Sequence, residues 1–188
     1  MTLKSRNIWI VKSHEPLPFN KNNERLFRSG LFSKILTENS INNVIWWSST
    51  FDHFNKKHIF NHDKIVNIKR NFQVNLIKSP GYQKNFSIER LYDHFIFGLK
   101  FFINSLKNKK PDIIICSFPT FSSALFTMVY SLLFNVKYII DYRDHWPELF
   151  WENNVGFKKK LIRFLCIPHS ILTRFIISNS YGLISISN

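Results

Sequence analysis

"IIICSFPTFSSALFTMVYSLLFNV", residues 113–136, contains no charged residue and is long enough to cross a bilayer as a helix. Its internal punctuation argues otherwise. Pro119, set among Ser117, Thr120, Ser122 and Ser123, divides it into a β-branched run, Ile113 to Cys116, and a later segment with helical spacing. In that segment Phe121, Ala124, Leu125, Met128, Val129, Leu132 and Leu133 recur at intervals of three and four, which predicts one buried helix face. The stretch therefore reads as a buried strand, a turn and a core helix, and the apolar run Tyr138 to Ile140 follows as the next strand.

The same alternation extends in both directions. Short apolar runs at Ile8 to Val11, Val44 to Ser48, Phe72 to Ile77 and Leu183 to Ile186 read as strands, several apolar without alternation, as strands covered on both faces are. A helix is predicted from about Glu24 to Glu38, with Phe27, Leu31 and Ile35 on its inward stripe and Gly30 placed for close approach to a strand. A second opens at Ser87 as N-cap with Glu89 in its first turn, and packs through Leu91, Phe95, Leu99 and Phe102. Strands alternating with helices make βαβ units, so the expected fold is α/β, a Rossmann-like doubly wound parallel sheet. Residues 1–188 read as one domain without internal repeat or linker, and the closing "YGLISISN" reads as a strand cut at a domain boundary.

Composition narrows the function. The chain is 45% hydrophobic with 20 Phe, too apolar for disorder. A net charge of +14 favours phosphates or anionic lipid. Nucleic acid is not expected, because the aromatic residues follow apolar patterns and are not interleaved with the basic clusters. Cys116 and Cys166 sit in apolar runs without ligand spacing and read as core residues of a reducing compartment. The apolar run near the N-terminus is too short for a signal peptide, which places the chain in the cytoplasm. No GxGxxG is present, so a dinucleotide cofactor is not expected.

Ligands of open α/β sheets bind beyond the carboxyl ends of the strands. After the first strand come His14 and Glu15, held by Pro16 and Pro18, in a loop leading to a helix whose N-terminal amides favour an anion. After the second come Asp52, His53 and His58, with no third ligand at a recognisable metal interval. Tyr82 and Lys84 stand beside the helix start at Ser87, suited to a sugar or phosphate, or to nothing more than a connection. The hydroxyls of Ser117, Thr120, Ser122 and Ser123 read as caps for the following helix. "DYRDHWPELF", residues 141–150, is the densest: Asp144, Glu148 and His145 are candidate acid/base groups and Arg143 a candidate phosphate clamp. The plainer alternative there is an ion-pair network in which Arg143 satisfies the acids, with Asp141 and Trp146 as scaffold.

In order and spacing, "SHEPLPF", "RLFRSGLFSKIL", "WWSSTFDHFNKKH", "SPGYQKNFSIERLYDH", "KPDIIICSFPT" and "DYRDHWPELF" resemble the N-terminal domain of bacterial family 4 glycosyltransferases. These are GT-B enzymes of surface polysaccharide assembly, and the likeness is greatest to the O-antigen and capsule subgroup that includes N-acetylated amino-sugar transferases. The resemblance implies an acceptor-side half facing a C-terminal sugar-nucleotide domain that this chain does not contain, and hence a chain inactive alone. It implies a hexosyltransferase that takes a sugar nucleotide as donor substrate and a polyprenyl-diphosphate-linked saccharide as acceptor, with no cofactor or metal. His14 and Glu15 would lie under the donor phosphates, Asp52 and His53 would shape the acceptor site, and Arg143, Asp144 and Glu148 would form the cleft wall. Asn22 and Asn23 stand where many relatives carry a glycine pair. Basic and bulky apolar residues mix at 158–177, "KKKLIRFLCIPHSILTRFII", which reads either as a peripheral contact with the anionic inner leaflet or as a buried helix pair. A non-catalytic basic membrane-surface or anion-binding module is the alternative function.

Overall fold

The computed structural model describes residues 5–19, 25–38, 42–144, 151 and 154–185. The strands are β1 (Asn7–Val11), β2 (Asn43–Ser49), β3 (Phe51–Asp52), β4 (Lys57–His58), β5 (Lys64–Lys69), β6 (Phe72–Ile77), β7 (Ile113–Phe118), β8 (Lys137–Tyr142) and β9 (Gly182–Ser185). The helices are α1 (Arg28–Glu38), α2 (Ile88–Ser105), α3 (Phe121–Phe134), α4 (Gly156–Leu165) and α5 (Ile167–Ser178). All six expected strands are present within a residue or two of their expected limits.

The main sheet has seven strands in the order β5-β6-β2-β1-β7-β8-β9. Every pairing is parallel except β5 with β6. From β1 the chain winds outward first through β2 and β6, then through β7, β8 and β9, so the order reverses between β1 and β7. This is a Rossmann-like arrangement with its switch point at β1 and β7, and a crevice belongs beyond their carboxyl ends. The antiparallel edge strand β5, "KIVNIK", was not among the expected strands; from Ile65 on, exposed residues alternate with the half-buried Val66 and Ile68, as suits a half-solvated edge.

Residues alternate between two cores. In β1, Trp9 and Val11 face the side covered by α2, α3 and α5, while Ile8 and Ile10 face the side covered by α1. Trp46 and Trp47 divide the same way, one into each core, as adjacent strand residues must. Trp9, Trp47 and Phe101 meet edge to face, with ring centroids 5.4 Å apart for Trp9 and Trp47 and for Trp47 and Phe101.

The helices are placed as expected, but their inward faces are not. In α1 the expected stripe points outward: Phe27 is 44%, Leu31 43% and Ile35 56% exposed, and Ser29, Gly30, Ser33 and Thr37 are buried instead. The sheet face beneath contributes the bulk, through Trp46 and Phe72, joined by Leu17 of the loop after β1, with Phe32 and Leu36 packed at its margin. Small residues therefore fit between helix and sheet. Their hydroxyls are satisfied within the helix, Ser33 Oγ donating to Ser29 O at 2.9 Å and Thr37 Oγ1 to Ser33 O at 2.7 Å. A side chain at Gly30 would meet Leu26 of the preceding turn, not a strand.

In α2 the buried positions are Asp93, Phe97, Gly98, Phe101 and Ser105, while Leu91 and Phe95 are exposed and Leu99 and Phe102 half-buried. A Cβ at Gly98 would lie 3.0 Å from the backbone carbonyl of Ser122, so this glycine lets α2 press against the first turn of α3. In α3, Ala124 and Met128 are buried as expected, but Leu132 and Leu133 are exposed and Ser122, Ser123, Thr127 and Ser131 are buried in their stead. Ser87 caps α2 as expected, accepting the Arg90 N–H at 3.2 Å. Thr120 stands at the N-cap of α3 without a side-chain capping bond.

Among the described residues no single helix is long and apolar enough to cross a membrane; α4 and α5 pass by length and composition only as a pair, bent by 52°.

Candidate functional site

A cleft of about 670 Å³ lies at the switch point, built from the loops after β1, β3, β6, β7 and β8, from the first two turns of α2 and the start of α3, and from His169 of α5. Its floor carries Lys12, His14, His53, Tyr82, Arg90 and His94. Its rim is apolar, with Phe86, Ile88, Leu91, Phe95 and Phe121, the first four of them exposed. The outward leucine and phenylalanine of α2 thus form one wall of this cleft.

His14 is held in a left-handed backbone conformation, φ 64°, uncommon for a residue with a side chain. That turn directs the ring inward, where its Nδ1 lies 2.9 Å from Ser13 Oγ and its Nε2 3.3 Å from Asp93 Oδ2. Burial lowers the His14 pKa, so the ring is neutral near pH 7. Asp93 comes from α2, is fully buried, and accepts the Gly81 N–H through Oδ1 at 2.7 Å. Burial opposes its charge, but His14, Ser79 and the Gly81 amide more than offset this and hold its pKa below the usual carboxylate value. Gly81 itself needs φ 80° and passes so close to Phe51 that a Cβ would lie 2.8 Å from that ring.

His94 follows Asp93 on α2, its ring centroid 5.2 Å from that of His14. Burial, with the neighbouring charges of His14 and Arg90, pushes its pKa down to about 3. His53 Nδ1 pairs with Tyr82 OH at 2.6 Å, and burial with the Lys56 ammonium pushes its pKa down to about 4. Burial pushes the Tyr82 phenol up to about 12. Its ring carries the Lys56 ammonium 4.6 Å and the Arg90 guanidinium 5.7 Å from its centroid. The floor therefore carries the Arg90 guanidinium beside neutral imidazoles, with Lys56 just outside it over the Tyr82 ring, while burial and Arg143 lower the Lys12 pKa against the pull of Glu15 and Asp141; this surface suits an anion, which would favour the charged form of Lys12.

Four of the residues singled out from sequence, His14, His53, Tyr82 and Asp144, line this cleft. Others are placed elsewhere. Glu15 is buried and accepts the Ser29 N–H at 3.1 Å, so the anion at the start of α1 is the protein's own carboxylate. Arg143 pairs with Glu15 and, through Nε at 2.7 Å, with Asp141, and donates to Ser29 Oγ and Ser117 Oγ at 3.0 Å each. Arg28 completes the network on the other oxygen of Asp141. Arg143 thus follows the ion-pair alternative and Asp141 the scaffold reading. Asp52 closes its own turn, accepting the amides of Phe54 at 2.8 Å and Asn55 at 3.0 Å. His58 is held between Thr50 Oγ1 at 3.0 Å and Pro80 O at 3.3 Å. Lys84 is exposed and does not line the cleft. His145, Trp146 and Glu148, and Asn22 and Asn23, lie outside the described residues.

Sequence reasoning passed over Lys12, Arg90, Asp93 and His94. Asp93 and His94 lie in mid-helix, and only the offset of the buried face by one or two positions from the expected stripe turns them toward His14. His14, Asp93 and His94 each offer a ligand atom within 4.8 Å of the others, a grouping that spacing along the sequence did not suggest. Cys116 is fully buried and burial pushes its thiol up to about 12, which fits its reading as a core residue.

No protein-family model and no curated protein matches this chain.

Proposed function

We propose that this chain is the acceptor-side domain of a GT-B, family 4 glycosyltransferase. It would act with a sugar-nucleotide domain to move a sugar, N-acetylated amino sugars among the candidates, onto a polyprenyl-diphosphate-linked saccharide in O-antigen or capsule synthesis. The observation that carries this reading is the gradient within the cleft, from a cationic, imidazole-lined floor to an exposed apolar rim. A polyprenyl diphosphate has the same two ends, an anionic head and an apolar chain. The acceptor hydroxyl would attack the donor's anomeric carbon from this side, with Asp144 at the cleft wall as the candidate base. Lys12 and Arg90 would hold the acceptor diphosphate.

Work at the inner face of the cell membrane follows from the same reading. No residue of α4 is buried, and the helix presents Lys158, Lys159, Lys160 and Arg163 together with exposed Phe157, Phe164 and Leu165. Such a helix suits an anionic interface. The same observation favours the second reading, a non-catalytic membrane-surface module.

Transfer from a panel of sugar nucleotides to a polyprenyl-diphosphate saccharide, catalysed by the protein together with a sugar-nucleotide domain, separates the two. Asp144→Ala is expected to abolish transfer and leave the fold intact. Wild-type turnover in that variant contradicts the role of Asp144, and the absence of any transfer with vesicle binding retained favours the membrane-surface module.

A further inference from the structure

We propose that His14, Asp93 and His94 form a binding site for a divalent transition-metal ion, zinc being the type ion, at the floor of the cleft. Two independent observations converge on these residues. Each offers a ligand atom, and the three atoms lie within 4.8 Å of one another. Separately, His94 Nε2 is buried without a hydrogen-bond partner, beside His14 Nε2 and Asp93 Oδ2, which are buried 3.3 Å from each other. Buried polar atoms are nearly always paired, so the unpartnered His94 nitrogen next to this pair marks a missing partner.

The surrounding bonds orient the set as ligands. His14 Nδ1 pairs with Ser13 Oγ at 2.9 Å, which fixes the ring with Nε2 toward Asp93; in the tautomer with the proton on Nδ1, Nε2 offers its lone pair to an ion. The other oxygen of Asp93 is held by the Gly81 amide at 2.7 Å, and the α2 backbone at His94 is pinned by Ser122 Oγ, which donates to His94 O at 2.6 Å. Bonds of this kind are what fix metal-ligating rings and carboxylates. Donor atoms around a tetrahedral ion with bonds of about 2.1 Å are roughly 3.4 Å apart, so ring and carboxylate rotations of about an ångström close the set. Two imidazoles and one carboxylate are a ligand set of catalytic zinc and of other transition metals, with the remaining position open to the cleft. The Arg90 guanidinium nearby opposes a bare cation and favours one that carries an anion in its open position.

Isothermal titration of the chelator-stripped chain with zinc chloride alone, and absorption of its cobalt(II) form, test the site without reference to sugar transfer. One equivalent is expected to bind, with the intense visible bands of a low-symmetry cobalt site. His94→Ala and Asp93→Asn, each checked for native circular dichroism, are expected to weaken binding at least about 100-fold, while His53→Ala leaves it unchanged. Failure of the stripped chain to take up one equivalent, or binding that survives both substitutions, overturns the proposal. Loss of acceptor binding with zinc binding intact counts against the proposed function and not against this site.

Discussion

Arg143 bonds Glu15 across 128 positions of sequence, tying the loop after β8 to the loop after β1 on the flank of the switch point. Both carboxylates that Arg143 serves are buried, Glu15 at 7% and Asp141 at 0% exposure. Removing the guanidinium leaves Glu15 without its ion pair and Asp141 with that of Arg28 only, and Arg143→Met is expected to cost roughly 3–5 kcal/mol, read from the urea midpoint. Arg143→Lys should recover little, because one ammonium cannot replace donors that reach Glu15, Asp141, Ser29 and Ser117 together. Wild-type stability in Arg143→Met would return this arginine to the ligand-facing role first given to it.

Gly98→Ala sets two effects against each other. Alanine improves helix propensity by about 1 kcal/mol, but its Cβ lands 3.0 Å from the Ser122 carbonyl and 2.9 Å from the Phe126 ring. Phe126 can rotate and the α3 backbone cannot, so a net loss of about 1–3 kcal/mol is expected in chemical denaturation. A stabilised variant would show that α2 and α3 are less closely packed than described.

Stability should fall as pH drops from 6.5 toward 4. The unfolded chain protonates its histidines near 6.5, whereas folded His53 and His94 take protons only near about 4 and about 3. In that window the unfolded state binds more protons, so stability rises with pH and is complete above 6.5. His94, well buried, contributes up to about 1.4 kcal/mol per pH unit, and His53, more open to solvent, contributes less. Urea midpoints between pH 5 and 6.5 check this, and His94→Asn should flatten the slope. An unchanged slope would mean that His94 is protonated in the folded protein.

Replacing Lys158, Lys159 and Lys160 with Gln is expected to weaken sedimentation with phosphatidylglycerol vesicles by about 3 kcal/mol, roughly 100-fold, at about 1 kcal/mol for each lysine near the surface. Binding to phosphatidylcholine vesicles should not change. Equal partitioning of the wild-type chain onto both vesicle types would contradict a charge-led membrane contact.

The sheet was legible in the sequence because the parallel strands are apolar runs bounded by turns, and no other element competes for that pattern. The helix faces were not. Phe27, Leu31 and Ile35 form a regular stripe, yet the layer below α1 is already filled by Trp46, Phe72 and Leu17, and only Ser29, Gly30, Ser33 and Thr37 fit against it. In α2 the outward Leu91 and Phe95 border the cleft, so their apolar character belongs to the site and not to the core. The loop residues His14, His53 and Asp144 were legible as strand-end groups, whereas Asp93 and His94 enter only through the true rotation of α2. Glu15, Asp52 and Arg143 carried the same chemical types as site residues, but bonding partners distant in sequence or within their own turn occupy them.

The central claim, an acceptor cleft with a cationic floor and an apolar rim, is tested most directly by titrating the chain with nanodiscs containing polyprenyl-diphosphate N-acetylglucosamine. Saturable binding is predicted that weakens at least about tenfold in Arg90→Ala and in Leu91→Asp, and that polyprenol without the diphosphate does not reproduce. Equal binding of the two lipids, or no effect of either substitution, would contradict the account.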